Sequence, residues 1–211
     1  MKALIIVDVQ ADFCSGGSLA VPNGDEVVSI LNEFSRFCAS RGWLVFASRD
    51  WHKPTTKHFL ANGGEWPVHC VVDSDGAKFH KDLDLFNATI ITKGAGDSND
   101  YSAFTGFIGD NNPITSLETA LKIMCVEEVL VGGLATDFCV KETVLSACKL
   151  GLKTNFLSNA SRAVSQKGYD LAIDEMTRAG ARCISTHEYM KEPLSFNYQK
   201  SSRITKETNE N

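Results

Sequence analysis

Six short apolar runs, each closely followed by a polar residue and set apart by an amphipathic or loop stretch, limit most strongly how this chain can fold. They lie at residues 4–9, 43–48, 88–92, 129–131, 153–157 and 182–185. Runs this short and this uniformly apolar read as strands buried on both faces, the habit of parallel sheets. From Asp25 to Gly42, Val27, Val28, Ile30, Leu31, Phe34 and Phe37 recur at helical spacing. Leu117, Ala120, Leu121 and Met124 do the same behind a Thr115 or Ser116 cap, and further helices are predicted from about Asp137, over residues 167–178, and after the last strand. The alternation predicts an α/β chain: a three-layer α/β/α sandwich around a mostly parallel six-stranded sheet. Residues 1–195 are expected to form one domain, and residues 196–211 a polar tail.

In an open parallel sheet, ligands bind outside the carboxyl ends of the strands. Asp8 follows the first run, Asp50 and His52 the second, Lys93 the third and Cys139 the fourth, so all are predicted at one sheet edge. Cys139 sits where a strand turns into a helix. With Thr136 or Asp137 as N-cap it falls in the first turn, where free N–H groups and the helix dipole favour a thiolate. Two readings stand: a nucleophile, or one more small buried hydrophobe. Asp8 and Lys93 read either as the base and cation that a nucleophilic thiol needs, or as a buried ion pair.

Asp50 and His52 lie two apart, on one side of an extended segment, and the long connection over residues 53–85 adds His58 and His69. One carboxylate and three imidazoles make an N/O site for a divalent transition metal (zinc, iron or manganese), unless the histidines are scattered over the surface. Acyl transfer also needs backbone N–H groups where negative oxygen develops, and the turn from Leu134 to Cys139 can supply them. Phe13 and Trp66 either stack on a flat substrate or simply pack.

A net charge of −5 over 211 residues argues against a large phosphate-binding surface for nucleic acid, so the expected partner is a small molecule. The first apolar run meets Asp8 too soon for a signal peptide or a membrane span. Seven cysteines, an odd number with no CxxC pair, fit reduced thiols and a cytoplasmic location better than a disulfide scaffold.

Taken in order, Asp8-Val9-Gln10 with Phe13, Asp50-Trp51-His52, His58, Trp66-Pro67-Val68-His69-Cys70, Lys93-Gly94, Asp100-Tyr101-Ser102-Ala103-Phe104 and Gly133-Leu134-Ala135-Thr136-Asp137-Phe138-Cys139-Val140 resemble the nicotinamidase/pyrazinamidase branch of the isochorismatase-like cysteine hydrolases. The resemblance spans residues 2–190. It implies Cys139 as nucleophile, Asp8 as general acid/base and Lys93 as the group holding both. It implies Asp50, His52 and His69 as metal ligands with His58 a fourth, and a cis peptide at Leu134-Ala135. The Ala135 and Cys139 N–H groups would form the oxyanion hole. Phe13 and Trp66 match the family's aromatic sandwich, and Leu134 and Tyr101, with Phe104, fall at the substrate. The implied reaction is deamidation of nicotinamide, and of pyrazinamide, through a thioester in NAD salvage. A related amidase acting on a carbamoyl or ureido substrate is the alternative. No nucleic acid or membrane partner is implied, and a homo-oligomer is left open. The loop Gly94-Ala95-Gly96-Asp97-Ser98-Asn99-Asp100 departs from the shorter or tyrosine-bearing versions of some members.

Overall fold

The computed structural model describes residues 1–96, 100–109 and 114–193. The expected polar tail lies outside them, as do residues 97–99 of the loop after Lys93. Strands β1 (Lys2–Val7), β2 (Leu44–Asp50), β3 (Ala88–Lys93), β6 (Glu128–Leu134), β7 (Lys153–Arg162) and β8 (Arg182–Ile184) are the six read from the sequence. Two more, β4 (Phe107–Ile108) and β5 (Thr115–Ser116), extend the sheet to eight in the order β5-β4-β3-β2-β1-β6-β7-β8. The six are mutually parallel; β4 and β5 pair antiparallel at one edge. At two residues each, the added strands are too short to leave a period in the sequence, which corrects the expected strand number but not the class.

Helices α1 (Glu26–Ser40), α2 (Leu117–Ile123), α3 (Lys141–Lys149), α4 (Gln166–Arg178) and α5 (Thr186–Met190) cover the sheet. Successive residues of β1 feed opposite layers, as the two-residue period of a strand requires. Leu4 and Ile6 pack with Val28, Leu31 and Phe34 of α1 and Tyr189 of α5; Ala3, Ile5 and Val7 pack with Leu121 of α2, Val144 of α3 and Met176 of α4. β1 therefore runs through the centre of both cores. The chain leaves it toward β2 on one side and reaches β6 on the other, so the order of the strands reverses between β1 and β6. That reversal opens the crevice in which α/β sheets place their ligands. Gly133 lets β6 close against β1 there: at φ +126°, a Cβ would lie 2.1 Å from the Val7 carbonyl oxygen.

The opposite end of the sheet is tied by Glu128. Its Oε1 accepts from Tyr189 OH at 2.7 Å and Asn155 Nδ2 at 2.9 Å, while Lys2 and Lys153 approach at 3.1 and 3.2 Å. Burial pushes this carboxyl up, but the Tyr189, Lys2 and Lys153 donors outweigh it and hold it below the usual range. A folded-state value below the unfolded one contributes stability that is present above the unfolded value and lost as pH falls through the folded one. Glu128→Gln is thus expected to cost about 1–2 kcal/mol at pH 7. The difference from the parent should shrink in acid, and a gap in denaturant midpoint that persisted below pH 3 would contradict this.

Candidate active site

The carboxyl ends of four adjacent strands deliver the predicted residues to one point. Asp8 directly follows β1 with a φ of +48°, its N–H bonded to the Ser48 carbonyl of β2 at 3.1 Å. Asp50 and Lys93 close β2 and β3 as register partners. Lys93 is buried, and its ammonium meets Asp8 Oδ2 at 2.9 Å, Asp50 Oδ1 at 2.5 Å and Cys139 Sγ at 3.5 Å. The contacts to Asp50 and Cys139 are hydrogen bonds donated by the ammonium, and that to Asp8 is an ion pair. Ser48 Oγ donates to the other Asp8 oxygen at 2.7 Å.

Burial sets the proton affinities. It pushes the Lys93 ammonium down, but Asp50, Asp8 and the Cys139 sulfur overcome it and hold Lys93 well above its ordinary value. Burial raises Asp8, which Lys93 offsets only in part, with Asp50 adding to the rise. Asp50 is pushed up by burial too, yet the Lys93 ammonium holds it well below the usual carboxylate range. Burial also drives the Cys139 thiol well above its ordinary value, with Lys93 opposing and Asp8 and Asp50 reinforcing. Burial thus works against the thiolate that a helix start favours, and Lys93 works for it. Neither Thr136 nor Asp137 caps a helix: Thr136 Oγ1 bonds Ser161 Oγ at 2.6 Å, and the Asp137 carboxylate accepts from Val164 and Ser165 N–H groups at 3.0 and 3.3 Å. Cys139 lies in a wide π-type turn, Thr136–Val140, that precedes α3. The peptide Leu134-Ala135 just before it is cis.

His52, His58 and His69 converge, with one ligand nitrogen of each within 4.8 Å of the others. His52 Nδ1 faces the Gly94 carbonyl at 3.1 Å and His69 Nδ1 the Pro67 carbonyl at 2.7 Å. A carbonyl only accepts, so both rings carry hydrogen on Nδ1 and turn the Nε2 lone pair inward. His52 Nε2 is buried without a hydrogen-bond partner, and Asp50 Oδ2 stands 3.8 Å from it. Burial lowers the His69 pKa, with the Pro67 carbonyl and Asp50 opposing. An orphaned buried nitrogen among three converging imidazoles, with a carboxylate beside it, fits a divalent transition ion. Gly94 packs directly on this cluster: at φ +74°, a Cβ would lie 2.7 Å from His52 Cε1.

Cys14, Asp25 and His80 form a second cluster of comparable spread, with the opposite polarity. There the Asp82 N–H donates to His80 Nδ1 at 3.2 Å, so Nε2 keeps its proton and points it at Asp25 Oδ1, 3.4 Å away. The His80 ring therefore turns a donor, not a lone pair, toward this cluster.

A pocket opens onto Cys139, lined by Phe13, Trp66, Tyr101 and Ala135 together with His58, His69 and Asp50. Trp66 Nε1 donates to Tyr101 OH at 2.9 Å and the indole stands edge-on to Phe138, centroids 4.9 Å apart. Leu134, expected at the substrate, is fully buried in the core and does not line the pocket, because the turn presents its neighbour Ala135 instead. Phe104 packs into the core layer of α2 and α3.

A model of the isochorismatase domain matches residues 2–188. The chain belongs to the isochorismatase family. It is 40% identical to the nicotinamidase of Escherichia coli strain K12 over 85% of this chain and 92% of that one. Among solved structures, the pyrazinamidase of Pyrococcus horikoshii in complex with zinc is 35% identical, with a TM-score of 0.78, covering 87% of this chain and 98% of that one. PnC1 from L. infantum, in complex with nicotinate, is 32% identical at the same TM-score, covering 89% and 93%.

The site also draws on residues that sequence reasoning passed over. Phe138, Leu19, Val21 and Val164 also line the pocket, and Ser48 and Gln10 bond into the polar cluster. Ser48 shares a strand face with Asp50, two residues on, and Phe138 adjoins Cys139, so both carried a signal. Val164 arrives from beyond β7 with none.

Proposed function

We propose that residues 1–195 form one hydrolase domain that deamidates nicotinamide, and pyrazinamide, to the acid and ammonia, in cytoplasmic NAD salvage. The observation that carries this reading is the buried Lys93 ammonium joining Asp8 and Cys139 beside an aromatic-lined pocket. The names of the similar proteins support it.

Asp8, whose affinity for a proton is raised, takes the Cys139 proton as the sulfur attacks the carboxamide carbon. Lys93 stabilises the thiolate as it forms. The Ala135 and Cys139 N–H groups hold the oxyanion, and collapse of the tetrahedral adduct expels the amine, which leaves as ammonia with the proton from Asp8. A water deprotonated by Asp8 then cleaves the thioester, releasing the acid and returning the proton to sulfur. Phe13 and Trp66 flank the pyridine ring. His52, His58, His69 and Asp50 would hold the metal, which when bound would supply Lewis-acid polarisation.

Purified protein supplied with zinc, iron(II) or manganese is expected to release ammonia from nicotinamide. Chelation should remove at least about tenfold of that activity, restored by adding the ion back. A side-by-side panel with carbamoyl and ureido substrates tests the alternative amidase. Turnover of those, with none of nicotinamide, would overturn the substrate assignment.

A further inference from the structure

Gln10 takes no part in the chemistry above, yet its side chain is fully buried and bonded at both ends of its amide. Its Oε1 accepts from the Asp50 N–H at 2.7 Å, and its Nε2 donates to the carbonyls of Asp50 and Ala77, each at 2.8 Å. β1 ends at Val7 and the backbone turns at Asp8, so the side chain of Gln10 continues the pairing of β1 with β2 where the main chain has left it. The residue it grips is the one whose carboxylate faces two ways, with Oδ1 on Lys93 and Oδ2 toward His52 Nε2. A second bond from the same segment braces the other side: Asp12 Oδ2 accepts from the Cys70 N–H at 2.7 Å, next to His69, and His52 N–H donates to the Cys70 carbonyl at 2.9 Å.

We propose that Gln10 is a positioning residue that fixes Asp50 between Lys93 and the histidines, so that the metal-binding cluster and the thiol are held as one unit. This rests on the reading of Asp50 as a ligand. A carboxylate a few tenths of an ångström out of place would serve one neighbour at the expense of the other, because both face a single side chain.

The test uses the full chain carrying Gln10→Glu, which keeps length and an acceptor for the Asp50 N–H but sets oxygen against two carbonyls, and Gln10→Met, which keeps only the shape. Tyr189→Phe, at the opposite end of the sheet, serves as a destabilised control. Zinc affinity is measured by competition with a chelating dye, alongside thermal midpoints, kcat and KM for nicotinamide. Zinc affinity is expected to fall about 10–100-fold in the Gln10 variants, kcat with it and KM little changed, while Tyr189→Phe lowers only the midpoint. Folded Gln10 variants with parental zinc affinity would overturn the proposal, whatever their midpoints. If the parent fails to hydrolyse nicotinamide, the functional reading fails, while the zinc measurement still decides the role of Gln10.

Discussion

In Cys139→Ala, ammonia release from nicotinamide is expected to fall by about 10⁵-fold or more, with the fold and the ligand pocket intact. The substitution removes one sulfur contact to Lys93 and leaves that ammonium its two carboxylates, so stability should change by no more than about 1 kcal/mol. Phe13, Trp66 and Tyr101 remain in place, and nicotinamide binding measured by calorimetry should persist. Cys139→Ser should not restore turnover. Asp8 is matched to a thiol, and a buried hydroxyl holds its proton far more tightly. Turnover in the alanine variant within tenfold of the parent would remove Cys139 from the mechanism.

Lys93→Met is expected to damage both activity and fold. It leaves Asp8 and Asp50, both buried, without the cation they share. Removing one partner of a buried pair costs about 3–5 kcal/mol, and kcat should drop at least about 10³-fold as thiolate stabilisation is lost. The sign with pH follows from burial. Without Lys93 the carboxyls take folded-state values above the unfolded one of about 4, so the variant loses stability as pH rises from there and recovers it in acid. Denaturation of parent and variant at pH 4 and pH 7 checks this. A deficit equal at both would mean that methionine is harmful for its shape and not for the missing charge.

Much of the site was legible because its residues announce themselves one at a time. Asp8, Asp50, Lys93 and Cys139 each stand at the end of an apolar run, and a parallel sheet gathers such ends without further instruction. What the sequence hid depends on partners far along the chain. Thr136 and Asp137 look like helix caps until Ser161, Val164 and Ser165, more than twenty positions on, claim their side chains. Gln10 and Ser48 reach across forty residues to their partners. The upward push on the Cys139 thiol was hidden for the same reason: it comes from burial and from Asp8 and Asp50, with Lys93 opposing, and none of these is near Cys139 in the sequence. Leu134 was assigned from the motif it belongs to, and only the direction taken by the turn decides which of its residues faces the pocket.

Gly94 ties two kinds of constraint to one position. Its carbonyl faces His52 Nδ1, its φ of +74° suits glycine, and a Cβ there would lie 2.7 Å from the His52 ring. The residue before it, Lys93, supplies the buried ammonium. A side chain at Gly94 would therefore cost stability twice, once in backbone strain and once in the tilt of an imidazole, and no single compensating change nearby relieves both. Tolerance to substitution should accordingly be least at this glycine, even though it carries no chemistry of its own.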